Sequence, residues 1–258
     1  MPRMSDLAAP GRGRHTMEQL QQRITDLILD RGLRVGDPVP PESELREIFG
    51  VSRNSLREAL KMLQAVGIVE IRHGYGTFVS GHPLAALGRT LEFRARLSLQ
   101  SSGVAAQELV DVREALECGL VGRAIAAMDP ERLQRLDAIV CAMEARAQRG
   151  ETVRAEDKDF HRVLFEPIDN AILAELLTTF WHVYSGIHQS VETPTGETTE
   201  HVTDTAAAHR EILDAVKAGD SAAAARLLSG HFVGIRRLIE RATANSQPET
   251  GPLQPVSR

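Results

Sequence analysis

Three histidines fall inside apolar stripes of separate helical segments. In "EDKDFHRVLFEPI", His161 shares a face with Leu164, Phe165 and Ile168, and Asp157 lies one turn earlier on that face. In "AAHREILDAVKAGD", His209 shares a face with Ile212, Leu213 and Val216. In "ARLLSGHFVGIRRLIE", His231 follows Leu227 and Leu228 and precedes Ile235 and Leu238. Burying a polar group without a partner costs roughly 2–7 kcal/mol on transfer scales. One inward histidine is ordinarily a hydrogen-bonded core residue. Three of them with an aspartate at i−4 would all be satisfied by one shared divalent cation. Imidazole and carboxylate donors suit Zn²⁺ first, with Ni²⁺, Co²⁺ or Mn²⁺ as alternatives.

A second constellation lies in "GVSRNSLREALKML". Arg53, Arg57 and Lys61 recur at i, i+4 and i+8 along one helix face, with Leu56, Leu60 and Leu63 on the other. A helix carrying cations on its outer face fits the major groove of DNA, with its N-terminal residues nearest the base edges. Arg53 and Asn54 are therefore the candidate base readers, for guanine and adenine respectively. Ser52, Ser55 and Arg57 suit phosphate contacts. Downstream, "RHGYG" offers Arg72 and His73, with Gly74 and Gly76 permitting close backbone approach to a minor groove. Taken alone, the same charges also describe an ordinary solvated helix face.

A third candidate is Arg113 in "QELVDVREALECGL", which shares a stripe with Leu109, Leu116 and Leu120. A buried guanidinium needs an anion. That anion is either a protein acid such as Glu117 or a carboxylate ligand gripped by two parallel hydrogen bonds. The other histidines carry less. His182 lines a cavity or packs on Trp181, His188 and His201 flank a polar loop, and His15 and His82 belong to an arm and a linker.

The elements that must hold these residues are legible from periodicity. Met17, Leu20, Ile24, Leu27 and Ile28 recur with helical spacing over Thr16–Arg31, which Gly32 ends. "VGDPVPP" is a turn-rich connection, and "ESELREIFG" a short helix. Ser52 caps a third helix from Arg53 to about Val66. Two β-branched runs, Ile68–Ile71 and Thr77–Val79, then signal a β-hairpin. Helix, helix, turn, helix and hairpin make a winged helix-turn-helix over residues 16–80. Residues 1–15 are expected as a flexible arm and 81–83 as a linker. From 84 to 244 the chain reads as helix after helix, and 245–258 as a polar, disordered tail. The fold class is mainly α, a winged domain with a small hairpin wing followed by an all-helical bundle.

Composition bounds the function. The chain has 258 residues, 42% hydrophobic and 25% charged, with a net charge of −5, as expected for a folded protein with a core. Residues 1–80 hold 11 Lys and Arg against 10 Asp and Glu, while the rest holds 19 against 25. Cations are therefore local to the first domain, where nucleic-acid contact needs them. No run is long and apolar enough for a membrane span, and the N-terminus lacks a secretory core. Cys118 and Cys141 sit in apolar helical contexts and are expected as buried free thiols, which suits a reducing cytoplasm.

"VPPESELREIFGVSRNSLREALKMLQAVGIVEIRHGYGTFVS" resembles the GntR-type winged-helix domain from end to end. The resemblance implies operator contacts from Arg53, Arg57 and the wing's His73–Gly74. Ser43 stands where the family often carries a basic residue. The second domain resembles the all-helical FCD ligand domain of FadR-like GntR regulators, through "DKDFHRVLFEPIDN", "HREILDAVKAGD" and "GHF". In metal-binding members the positions of Asp157, His161, His209 and His231 hold the cation. Other members bind acyl-coenzyme A without metal, a mode that retention of all four ligands argues against. The equivalent of Arg113 often faces the effector.

These readings converge on a homodimeric repressor in the cytoplasm. It binds a palindromic operator in double-stranded DNA and responds to a small carboxylate bridging the metal and Arg113. Two alternatives stand beside it, a regulator whose metal is purely structural and a metal-dependent enzyme fused to a DNA-binding module. The DNA-reading module and the lack of a nucleophile motif disfavour the enzyme.

Overall fold

The computed structural model describes residues 16–81, 84–191 and 199–244, the side chains of 188, 189, 191 and 199–201 excepted. The expected arm and tail lie outside the described residues. The chain divides into two compact units, Met1–Ala86 and Leu87–Arg258.

In the first unit, α1 (Met17–Asp30) is opened by a capping box. The Thr16 side chain accepts from the Gln19 amide while the Gln19 side chain returns to the Thr16 amide. Helix α2 (Glu42–Phe49) ends on Gly50 at a φ of 66°. Helix α3 (Arg53–Ala65) begins on Ser52, whose hydroxyl accepts from the Ser55 amide. Its inner face, Leu56, Ala59, Leu60 and Leu63, is buried against Leu20, Ile24 and Ile28 of α1 and Leu45 and Phe49 of α2. Each such aliphatic side chain contributes about 1.5–3 kcal/mol. Burial of that face leaves the cations of α3 facing out.

The wing is antiparallel, β1 (Val69–Arg72) with β2 (Gly76–Val79), in a register running from Val69↔Val79 to Arg72↔Gly76. Both strands reach one residue nearer the tip than β-branched composition indicates, because the ladder is made by backbone and Gly76 joins it at a φ of 119°. The segment read as a plain turn also joins the wing. Gly36 and Val39 donate to the Val79 and Thr77 carbonyls at 3.0 and 2.8 Å, and Val79 donates to Asp37 at 2.9 Å.

Among its described residues the second unit has helices and no strand, and its first helix starts two residues before the division. It comprises α4 (Ala85–Ser98), α5 (Val104–Ala126), α6 (Pro130–Gln148), α7 (Arg154–Phe165), a 3₁₀ turn, α8 (Ala171–Val191), α9 (Thr199–Lys217), α10 (Ser221–His231) and α11 (Val233–Ala244). One core cluster joins α5, α6, α7, α9 and α10 around Met143, Phe160, Leu164 and Leu213. Another joins α4, α5, α8 and α11 around Ala95, Val110, Ile187 and Ile239. Cys118 is half-buried, whereas Cys141 is exposed, correcting the expectation of two buried thiols. Cys141 lies on the outer side of α6, where its sulfur meets the Arg210 guanidinium.

Gly103 opens α5 at a φ of 70°, and a Cβ there would stand 2.7 Å from Thr243 and 2.9 Å from Ile239 of α11. Gly103→Ala is expected to destabilise this unit by roughly 1–3 kcal/mol, through backbone strain and overpacking. Thermal denaturation reads it. An unchanged midpoint would mean that α11 does not sit over that turn.

Candidate DNA-reading face and metal centre

On α3, Arg53, Asn54 and Arg57 are exposed on one surface and Ser52 lies beside them. Glu42, at the start of α2, binds both arginines. Its carboxylate accepts from Arg57 Nε at 3.0 and 3.2 Å and lies 3.6 Å from Arg53 Nε. These exposed pairs contribute little stability, but they hold two guanidinium groups side by side before DNA arrives. Periodicity could not find Glu42, because it sits on another helix. The Ser52 hydroxyl is engaged with both the amide and hydroxyl of Ser55. On the wing, Arg72 is paired with Glu70 at 2.9 and 3.1 Å and lies over the Phe78 ring. His73 and Gly74 are exposed at the tip, as is Tyr75, which is 85% exposed and which charge-based reading passed over. Ser43 is exposed at the start of α2.

In the second unit the four expected ligands come together. One donor atom from each of Asp157, His161, His209 and His231 lies within 4.8 Å of every other. Asp157 and His161 are one turn apart on α7, so both project inward beside Phe160 and Leu164. His209 projects from α9, and His231 is the last residue of α10, placed by the break at Phe232. Asp157 Oδ1 is the hub, 3.0 Å from His209 Nε2, 3.3 Å from His161 Nε2 and 3.6 Å from His231 Nε2.

The outer partners decide which nitrogens face inward. His209 Nδ1 is 2.8 Å from the Thr205 carbonyl, which can only accept, so Nδ1 carries the proton. His161 Nδ1 donates at 2.6 Å to Glu117 Oε2. Burial alone would raise the Glu117 carboxyl, but the Arg113 guanidinium and then His161 overcome it and hold its pKa at about 2. Both Nε2 lone pairs therefore aim at a carboxylate oxygen. His161 Nε2 is buried and makes no hydrogen bond. Acceptors facing acceptors require a proton or a cation between them. Asp157 is held well below the usual carboxylate range: burial opposes this, and hydrogen bonds from His161, His209 and His231 outweigh it where those imidazoles supply the proton. His231 is pushed down to about 4 by burial and then by His209, which keeps it a neutral donor. The residues present fit a divalent cation.

Ligands must shed protons before binding metal. His161 resists: burial lowers its pKa, but Glu117 and Asp157 together lift it above the ordinary value. A raised imidazole pKa means a competing proton persists to higher pH. Zinc affinity is thus expected to rise with pH up to and somewhat beyond the usual imidazole range. Titration with a zinc-competing dye at several pH values checks this, and a flat profile would contradict it.

Arg113 and Glu117 share the inward face of α5 with Val110 and Val121, rather than with Leu109, Leu116 and Leu120, which flank it. Arg113 Nε donates to Glu117 Oε1 at 2.6 Å. The protein-acid pairing is thus present, yet Arg113 Nη2 is buried without a partner. The guanidinium lies 4.4 Å from the Trp181 ring, with Tyr184 and Phe232 also against it. What sequence reasoning missed is that Glu117 reaches the cluster of Asp157, His161, His209 and His231 through His161. The contact spans 44 positions, and nothing in the local pattern signals it. Of the other acids on and after α7, Glu156 pairs with Arg146 and Glu166 with Arg135. His182 is exposed, and the side chains of His188 and His201 lie outside the described residues, as do His15 and His82.

Comparison with known proteins follows this division. Residues 16–79 match the family described as bacterial regulatory proteins, gntR family, and residues 108–234 match the FCD domain. An HTH-type transcriptional regulator of Mycobacterium tuberculosis is 33% identical, over 83% of this chain and 86% of its own length. The transcriptional repressor NanR of Cronobacter sakazakii is 30% identical, over 83% of this chain and 82% of its own. The solved structure of Streptococcus agalactiae GntR superposes with a TM-score of 0.62 at 28% identity, covering 86% of this chain and 99% of that one. Among the described residues no helix is long and apolar enough to cross a membrane. The chain belongs to the GntR family of bacterial regulatory proteins, as a DNA-binding transcriptional regulator carrying an FCD domain and not an enzyme.

Proposed function

We propose that the protein is a homodimeric cytoplasmic repressor whose grip on a palindromic operator is set by a small carboxylate bound beside a divalent cation. Asp157, His161, His209 and His231 hold the cation, zinc in the first instance, with nickel, cobalt or manganese able to use the same donors. A bound cation supplies positive charge and a coordination position for an anion. Arg113, whose Nη2 lacks a partner, supplies the directional donor. Arg53 and Asn54 read bases. Arg57, Ser52 and Ser55 hold phosphates, and the wing's Arg72, His73 and Gly74 reach the adjacent groove. A homodimer's two-fold axis matches a palindromic site.

The observation that carries this reading is the convergence of three buried or nearly buried imidazole Nε2 atoms on one carboxylate oxygen, Asp157 Oδ1, at 3.0 to 3.6 Å. Names among the relatives agree in kind: one is a repressor and another is named for an L-lactate dehydrogenase operon. A thermal-shift screen of organic acids on zinc-loaded and chelated protein tests the proposal. Acids that stabilise only the loaded form support it.

A purely structural cation is the second reading. It is favoured by the Arg113–Glu117 pair and by the small cavity beside Arg113, about 20 Å³. On that reading zinc raises the melting temperature and no acid adds to it.

A further inference from the structure

Glu117 has two partners and both bear on the proposed sensor. One oxygen accepts from Arg113 Nε and the other from His161 Nδ1, each at 2.6 Å, and its side chain is fully buried. It therefore ties the anion-facing guanidinium to a metal ligand through a single negative charge. Among the described residues, the buried charged side chains of this unit are Arg113, Glu117 and Asp157, beside the imidazoles of His161 and His209, which ligate a cation only without the extra proton. Glu114 and Arg236 pair with one another on the outer side of α5 and do not enter the count.

The charges then add up simply. Two carboxylates and one guanidinium leave one negative charge, and a divalent cation turns the cluster to one positive. A buried group of net charge one favours neutralisation by one opposite charge, because excess charge away from water is costly. We infer that Glu117 sets the charge class of the effector, restricting it to a monoanion, a small monocarboxylate in preference to a dicarboxylate. This rests on the proposed metal-and-anion reading of the same site. With Glu117 neutral, the cluster would carry two positive charges and a dianion would fit it better.

The test uses full-length protein saturated with zinc, and pairs of acids differing by one carboxylate: propionate against succinate, and lactate against malate. Calorimetric titration gives the ratio of their dissociation constants in wild type and in Glu117→Gln. Wild type is expected to prefer the monocarboxylate, and Glu117→Gln to shift the ratio toward the dicarboxylate by about tenfold or more, the effect of one charge at short range in a partly buried site. A merely structural role would weaken both acids together and leave the ratio fixed. A wild-type preference for the dicarboxylate overturns the inference even if Glu117→Gln does not fold. So does an unshifted ratio at equal zinc content. Failure of the underlying reading is distinguishable: wild type would then bind neither acid, or bind equally well after chelation, and the charge count falls with it.

Discussion

Replacing His209 by alanine is expected to lower zinc affinity by more than about a hundredfold, so that the purified variant carries almost no metal. Loss of an outer partner alone typically costs ten- to a hundredfold, and His209 is proposed as a ligand. Its Nε2 approaches the Asp157 hub most closely, at 3.0 Å, and its ring is fully buried. The variant also removes a ring packed edge-on against Phe160 and His231. Some loss of stability from the cavity is therefore expected with or without metal. Two readouts separate the effects. Elemental analysis should show about one cation per wild-type chain and far less in the variant. Zinc should raise the melting temperature of wild type, by about 2.7 kcal/mol of stability at a hundredfold excess over Kd, and leave the variant unmoved. Equal metal content in both would remove His209 from the site.

The second large effect concerns DNA. Arg53→Ala is expected to weaken specific binding about tenfold to a hundredfold, with most of the loss at one base position, since a bidentate base contact contributes roughly 1–3 kcal/mol. Arg57→Ala should weaken operator and unrelated DNA more evenly and reduce the salt dependence, as a lost phosphate contact does. Both side chains already converge on Glu42, so each free arginine is partly ordered before binding. Anisotropy titrations on a duplex selected from a random library, and on its scrambled counterpart, distinguish the two patterns. An Arg53→Ala protein that binds the selected duplex like wild type would show that α3 is not the reading helix.

Much of this was legible in the sequence because burial imposes a period. On α3 the leucines at 56, 60 and 63 point inward, so the cations must point outward, and Ser52 marks the cap at the start. His161, His209 and Asp157 stood out because they interrupt apolar stripes that the structure does bury. What escaped depends on the third dimension. Glu117 was visible as the i+4 neighbour of Arg113, but its grip on His161 is made between helices. Glu42 is likewise brought to Arg53 and Arg57 by the crossing of α2 and α3. The pairing of 36–39 with the wing is made by backbone groups, which leave no side-chain period to read. Cys141 was misjudged because its neighbours are apolar while its own side of α6 faces out.

On the proposed function, cation and anion together set the affinity for DNA. The most direct measurement is the Kd for the selected duplex under four conditions: chelated protein, protein with zinc, chelated protein with a monocarboxylate identified by the thermal screen, and protein with both. Coupling between ligand sites in such regulators is typically 1–3 kcal/mol, about 5- to 150-fold. The carboxylate is expected to change the Kd by at least about fivefold when zinc is present and to leave it unchanged in the chelated protein. A Kd that is the same in all four conditions, or that responds to the acid equally without zinc, would contradict it.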